Sequence, residues 1–438
     1  MEIDSGDTAW LLVSSALVML MTPGLALFYG GLARSKNALG TIMHSFMMLG
    51  VISIQFVFVG YSLAFGPDQL GLIGNLDWIG LTDVSATEPG PYADTVTHQT
   101  FMVFQLMFAV ITPALITGAF AERAKFSTFV VFMLLWSTLV YDPIAHWVWG
   151  GGWLGERGAL DFAGGTVVHI NAGVAALAAA LVYGKRHGFG RDPMEPHDIT
   201  MVVVGAALLW FGWFGFNAGS ALTAGAGASN AFVVTHVATA AAMVTWVGLS
   251  WYFTGKPSVV GAAAGAVAGL VAITPAAGFV TTNGALAIGL GAGAVCYLAV
   301  RLRSKVGLDD SLDVVGVHGV GGAWGALATG LFATAAISGG PEGLFYGDVS
   351  QFGEQVIAVG ATMAYSFTVT LILLKVLDMT MGLRVSEDEE QAGLDASQHG
   401  ERAYVLDGGS PYTGIPVMPE SPASAEAVPA TSRSEASS

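Results

Sequence analysis

Charge is what this chain is short of: only 11% of its 438 residues are Asp, Glu, Lys or Arg, while 53% are hydrophobic. Soluble domains carry about 25% charged residues, so a water-soluble globular protein is excluded. Cysteine is nearly absent too. The single Cys296 rules out an internal disulfide and leaves the redox compartment open. Basic residues are missing from Met1 to Asp7, so the first apolar stretch is expected to be a retained helix and not a cleaved secretory signal. Short alternating strands, the mark of a membrane barrel, are also missing. With a net charge of −16 the chain is no partner for nucleic acid. Its histidines have no third or fourth ligand at useful spacing, so neither a metal such as zinc nor any other cofactor is expected.

What is there is apolar and long. About 20 apolar residues span a hydrocarbon core of about 30 Å, and eleven segments qualify: roughly 8–32, 38–66, 98–121, 126–147, 164–184, 199–222, 229–254, 258–276, 282–302, 313–336 and 351–381. The fold class is therefore an all-α polytopic membrane protein embedded in lipid. Glycine, at 59 residues, suits helices that pack closely in a bilayer. With the N-terminus outside and the C-terminus inside, Arg157 is the one base of sixteen on the outer side, as the positive-inside rule requires. Acids concentrate in the water-facing parts, with five from Asp68 to Asp94 and ten from Arg384 onward. Either a salt-adapted surface or ordinary solvated loops accounts for them.

Internal echoes organise these segments. Val168-His169-x-x-Ala172-Gly173 in the fifth answers Val317-His318-x-x-Gly321-Gly322 in the tenth. Ile111-Thr112-Pro113 in the third matches Ile273-Thr274-Pro275 in the eighth, and Phe28-x-x-Gly31 in the first matches Phe216-x-x-Gly219 in the sixth. Every echo joins segment n to segment n+5. An odd offset gives the halves opposite orientation, which predicts a five-plus-five inverted repeat (about 8–184 and 199–336) with an extra eleventh helix and a pathway at the repeat interface. The membrane domain is expected over 1–383, structured turns over 384–404 and a disordered Pro, Ala and Ser-rich tail over 405–438.

Ionisable groups inside spans are costly and usually functional. His169 and His318 are thus the first candidates: paired imidazoles either pass a proton, hydrogen-bond a small polar solute, or simply tie helices together. Asp161, ahead of Gly164 and Gly165, either caps the fifth helix or also favours a cation at a pore mouth. Trp149, followed by three glycines, and the hydroxyl of Ser220 suit an aromatic cup for a small cation. Such a cup fits potassium as well as other small cations, so it does not choose the substrate. Asp142, in Tyr141-Asp142-Pro143, is a charge where an apolar residue is expected, and is placed at the outer interface.

The runs AHWVWGGGWL, DFAGGTVVHINAG, WFGFNAGSA and DVVGVHGVGG, in this order, resemble the ammonium transporter (Amt/Mep/Rh) family, and within it the bacterial and archaeal Amt branch, over roughly Thr8 to Tyr404. The resemblance implies a non-enzymatic homotrimer in the cell membrane with one pore per subunit. It implies an ammonium recruitment site at Trp149, Ser220 and Phe108, a gate of Phe108 over Phe216, and twin pore histidines His169 and His318. Asp161 supports the recruitment site, and Trp213 and Gln105 match positions near it. The segment to Tyr404 resembles a cytoplasmic tail that couples subunits and docks PII signal proteins. Two alternatives remain at this point: an ammonium sensor acting through that tail, and an Rh-like channel for a neutral gas.

Overall fold

Eleven helical spans are laid out in the order expected in this structure, a computed structural model describing residues 2–404. The 405–438 tail lies outside the described residues. Nine spans are long and apolar enough to cross a membrane: Ser5–Leu32, Ser35–Phe65, His98–Phe120, Phe126–Glu156, Gly165–Tyr183, Ile199–Gly219, Ala226–Thr254, Thr282–Val306 and Val349–Thr380. The eighth, Val259–Ile273, is shorter, and the tenth covers 315–332. Their starts are written into the sequence as capping residues. Asp4, Thr97, Asp198, Ser258, Thr281 and Asp348 each accept a hydrogen bond from the first turn of the helix that follows. Large apolar side chains such as Ile54, Phe58 and Val244 are exposed on the outside of the bundle, as suits helices surrounded by apolar neighbours and not by water.

An odd number of spans puts the start of the first span and the end of the last on opposite faces of the bundle, and the contacts of the described residues agree. On the N-terminal face the Asp4 amide donates to the Thr95 carbonyl (2.8 Å), the Thr95 hydroxyl to Asp7 (2.6 Å), and the Trp147 indole to the Leu72 carbonyl (2.8 Å). The opposite, C-terminal face is held by ion pairs. Arg34 meets Glu122 (2.5 Å), and Arg186 meets Asp309 (2.8 Å). Burial works against the Asp309 charge, but the Arg186 hydrogen bonds and the charges of Arg123 and Arg186 outweigh it and hold its carboxyl below the usual range.

The polar stretch after the last span is more ordered than turns alone. Helix Glu387–Ala392 opens with a capping box between Ser386 and Glu389, and a further helical turn, Asp395–His399, follows. Both dock on the C-terminal face: Arg384 pairs with Glu390 (2.6 Å), the Leu394 amide donates to Asn37 (2.8 Å), and the Gly40 amide to Asp395 (2.8 Å).

The repeats cross through glycine. A Cβ at Gly173 would lie 2.1 Å from the Gly319 nitrogen, and one at Gly205 would lie 2.3 Å from the Phe28 nitrogen. Fifth and tenth spans, and first and sixth, therefore touch backbone to backbone, as small residues permit in membrane bundles.

Candidate functional site

The fifth and tenth spans do not begin as ordinary α-helix. Each opens with a wider π-turn, Gly165–Ile170 and Val315–Gly319, a distortion common at functional positions, and each π-turn carries one of the matched histidines. His169 and His318 are buried and face each other with Nδ1 atoms 3.3 Å apart. One ring must donate there and the other accept. The neutral pair is thus locked in opposite tautomers: one ring keeps an Nε2 lone pair and the other an Nε2–H. The pair therefore offers a donor and an acceptor at once.

A chamber of about 10 Å³ lies against these rings. That is about one water-sized site. Its walls come from Met21, Leu25 and Phe28 of the first span, Ile111 and Leu115 of the third, Val168 of the fifth, Leu209, Trp213 and Phe216 of the sixth, and Val267 of the eighth, besides the two histidines. Spans 1, 3, 5, 6, 8 and 10 are the ones that carry the sequence echoes. His169 packs against both Trp213 and Phe216, at centroid distances of 5.3 and 5.9 Å, and these two rings also touch each other at 5.2 Å; the Trp213 indole is fixed by a 2.8 Å bond to the Thr274 hydroxyl. Trp213 thus borders the histidines, one layer below the recruitment site near which the sequence comparison placed it.

Above the chamber Phe108 lies on Phe216, with ring centroids 4.3 Å apart. Phe216 lines the chamber and Phe108 lines the next cavity up, so this pair is the partition between them. The upper cavity holds about 260 Å³ and opens toward the N-terminal face. Trp149, Ser220, Phe108 and Gln105 all border it, as the sequence motifs place them. The Ser220 hydroxyl donates to the Phe216 carbonyl (2.8 Å), leaving its lone pairs as acceptors, and the Gln105 Oε1 has no partner. Aromatic faces plus two free acceptors make a cup for a cation that donates hydrogen bonds. Tyr92, Phe101, Phe104, Val148, Phe162 and Leu222 complete the lining; sequence reading gave Tyr92 and Phe162 no role there, since they come from loops.

Asp161 is wholly occupied by its helix. Its carboxylate accepts from the amides of Gly164 (2.8 Å), Gly165 (2.6 Å), Thr166 (2.8 Å) and Val167 (3.2 Å) and from the Thr166 hydroxyl. Gly164 sits at φ 115°, which only glycine adopts freely. The cup is supported instead through the Asp161 backbone, whose carbonyl takes the Trp149 indole N–H at 2.9 Å.

The sequence reading overlooked the partner of Asp161. Asp310 accepts from the amides of Val314 (3.1 Å) and Val315 (2.8 Å) at the start of the tenth span, on the opposite face. It stands as far ahead of His318 as Asp161 does ahead of His169, and that shared spacing was the available signal. Asp142, expected at an interface, is instead fully buried within the protein, accepting from Gln55 at 2.9 Å.

The profile of the Ammonium Transporter Family matches residues 9–404. The chain is similar to an ammonium transporter of Bacillus subtilis, 52% identical over 401 residues covering 91% of this chain and 98% of that protein. It is also similar to ammonium transporter Amt1 of Archaeoglobus fulgidus, 51% identical over 92% of this chain and 100% of that one. Among solved structures, Candida albicans Mep2 matches with a TM-score of 0.84 and 41% identity over 88% of each chain. A structure described as a sensor Amt protein matches with a TM-score of 0.84 and 30% identity over 90% of this chain and 98% of that one.

Proposed function

The chain belongs to the ammonium transporter family, and from that premise we propose that it recruits ammonium in the aromatic cup, strips its proton and passes ammonia through the histidine chamber. Trp149, Phe108 and Ser220 hold the arriving cation, with Gln105 as a further acceptor. Phe108 and Phe216 are the gate. His169 and His318 line the pore, Trp213 braces His169, and Asp161 anchors Trp149. The observation that carries this reading is the small size and largely apolar lining of the chamber, which takes one small molecule among apolar walls and two imidazoles.

Selectivity follows from those apolar walls. An unpaired ion moved into low dielectric loses tens of kcal/mol of solvation. Potassium has no way to avoid that cost, whereas ammonium sheds it with its proton. Ammonia then finds both an acceptor and a donor in the tautomer-locked pair. A proton handed to the free Nε2 of one ring and released from the other crosses the pair once both tautomers have switched, a route separate from the ammonia itself.

We place the protein in the cell membrane with the N-terminal face outside, on the strength of Arg157 being the one base assigned to that side. The membrane domain is 1–383, and the docked 384–404 segment is its cytoplasmic regulatory part, the surface offered to a PII protein. The assembly is a homotrimer, as the family resemblance implies. Liposomes loaded with the purified protein should show saturable ammonium uptake and no potassium flux; absence of ammonium flux would defeat the transport reading. A sensor role has one specific support, the ordered docking of 384–399, together with the likeness to a sensor Amt protein. Binding of ammonium without flux, coupled to release of that segment, is the outcome that would favour it.

A further inference from the structure

His146, on the fourth span three residues before Trp149, is fully buried, and both of its ring nitrogens face oxygen acceptors. Nδ1 lies 3.0 Å from the Ala64 carbonyl and Nε2 lies 2.8 Å from the Asp68 carboxylate. A neutral imidazole has a single N–H, so it would leave a lone pair pressed against one of these oxygens. Both contacts are hydrogen bonds when the ring carries two protons and Asp68 is ionised. The Asp68 side chain is 39% exposed, so the pair is in touch with solution at the N-terminal face. The His146 hydrogen bond, followed by that of the Gly71 amide, holds the Asp68 carboxyl below the usual range.

The same ring is the floor of the turn that carries Trp149. A Cβ at Gly150 would lie 2.0 Å from the Ala64 oxygen and 2.6 Å from His146 Nδ1, so glycine lets the backbone rest on that bond. The Gly150 and Gly152 amides both donate to the His146 carbonyl, at 3.0 and 2.9 Å. Tyr92, which borders the cup, sets its hydroxyl 2.7 Å from the Phe65 carbonyl and 3.1 Å from the Gly150 carbonyl, its one proton shared between them, and so clamps the turn from above. The titratable groups on the segments packed around the ring are Tyr61, Asp68, Tyr92, Tyr141, Asp142, Glu156, Asp161 and His169. Asp68 alone among them is hydrogen-bonded to it.

We propose that His146, clamped between the Ala64 carbonyl and the Asp68 carboxylate, is a positioning residue that sets Trp149 in the recruitment cup. The inference rests on the recruitment role proposed for Trp149. The depressed Asp68 carboxyl stays ionised throughout the neutral range, so the charged acceptor that holds the ring at Nε2 is present there.

The test uses the full-length protein in liposomes, with the Michaelis constant expressed as free ammonium ion at neutral pH. In Asp68→Asn, which keeps an acceptor but removes the charge, the Michaelis constant should rise severalfold while the maximal rate changes little. Asp68→Glu should restore the wild-type value, and His146→Gln should raise the constant at least as far as Asp68→Asn. Nitrogen-15 NMR of histidine-labelled protein, assigned by the signal missing in His146→Gln, should find the His146 signals shifted in Asp68→Asn and returned in Asp68→Glu. Kinetics and His146 signals in Asp68→Asn that superpose on wild type would overturn the proposal. A wild-type protein that moves no ammonium would overturn the transport reading, while the NMR comparison would still decide whether Asp68 holds the ring.

Discussion

Asp161 and Asp310 occupy mirrored places in the two repeats, yet they are used unequally. Asp161 accepts four amides and a hydroxyl and, through its carbonyl, anchors the tryptophan of an open aromatic cup. Asp310 accepts two amides and lies among the arginines of the C-terminal face, close to where the docked tail leans. The repeat supplied one plan, an acid that caps a π-turn ending in a histidine. The surroundings then specialised each copy, one as the support of an entrance and the other as part of a charged plate. What is common to both copies builds the pore, and what differs gives it a direction.

The largest effect should come from what the copies share. Replacing His169 and His318 together by Leu removes the chamber's only donor and acceptor and should abolish ammonium-selective flux, measured as liposome current against potassium. Unchanged flux and selectivity would refute the pore assignment. Next comes the contrast itself. Asp161→Ala strands buried amides and should cost on the order of 3 kcal/mol, with loss of transport, whereas Asp310→Ala should cost about 1–2 kcal/mol. Denaturation of the two variants in detergent compares them directly, and equal losses would erase the asymmetry argued above. Trp149→Leu should act more narrowly, weakening uptake at low ammonium and leaving the maximal rate; identical kinetics at all concentrations would remove Trp149 from the cup.

The smallest expected effect lies in the tail. Burial, opposed by the bonds from the Gly40 and Leu39 amides, pushes the Asp395 carboxyl above its usual value. A raised carboxyl favours the docked state below the ordinary carboxylate pH and loses that contribution as pH rises through the raised value. Asp395→Asn keeps an acceptor for Gly40 and should shift docking by less than about 0.5 kcal/mol at low pH, while removing the weakening on the alkaline side. Protease cleavage after Leu383, followed across pH, reads this out.

The spans, their pairing and the histidines were legible because apolar length and repeated triplets are local signals. Asp310 was not. It sits in Asp309-Asp310-Ser311-Leu312-Asp313, where it reads as one more solvated acid, and only its distance from His318 betrays a cap. Tyr92 and Phe162 were invisible as cup residues because hairpin and loop folding, not periodicity, brings them there. Docking of 384–399 escaped for a related reason: a polar segment gives no sign that its partners are Asn37 and Gly40, more than three hundred residues earlier. Asp142 misled in the other direction. A carboxyl in an apolar run suggested a water boundary, and Gln55 of another span supplied the partner instead.

At Gly173 and Gly319 the two histidine-bearing helices meet with no side chain between them. Such a joint has no slack to tilt. Inverted-repeat transporters commonly work by rocking one half against the other, but a pivot with its backbones already in contact resists that motion. On the transport reading proposed above, opening falls to the rings of Phe108 and Phe216. Side-chain turns of that kind are far quicker than domain movement, so this machine would conduct as a turnstile of two aromatic leaves in a fixed frame.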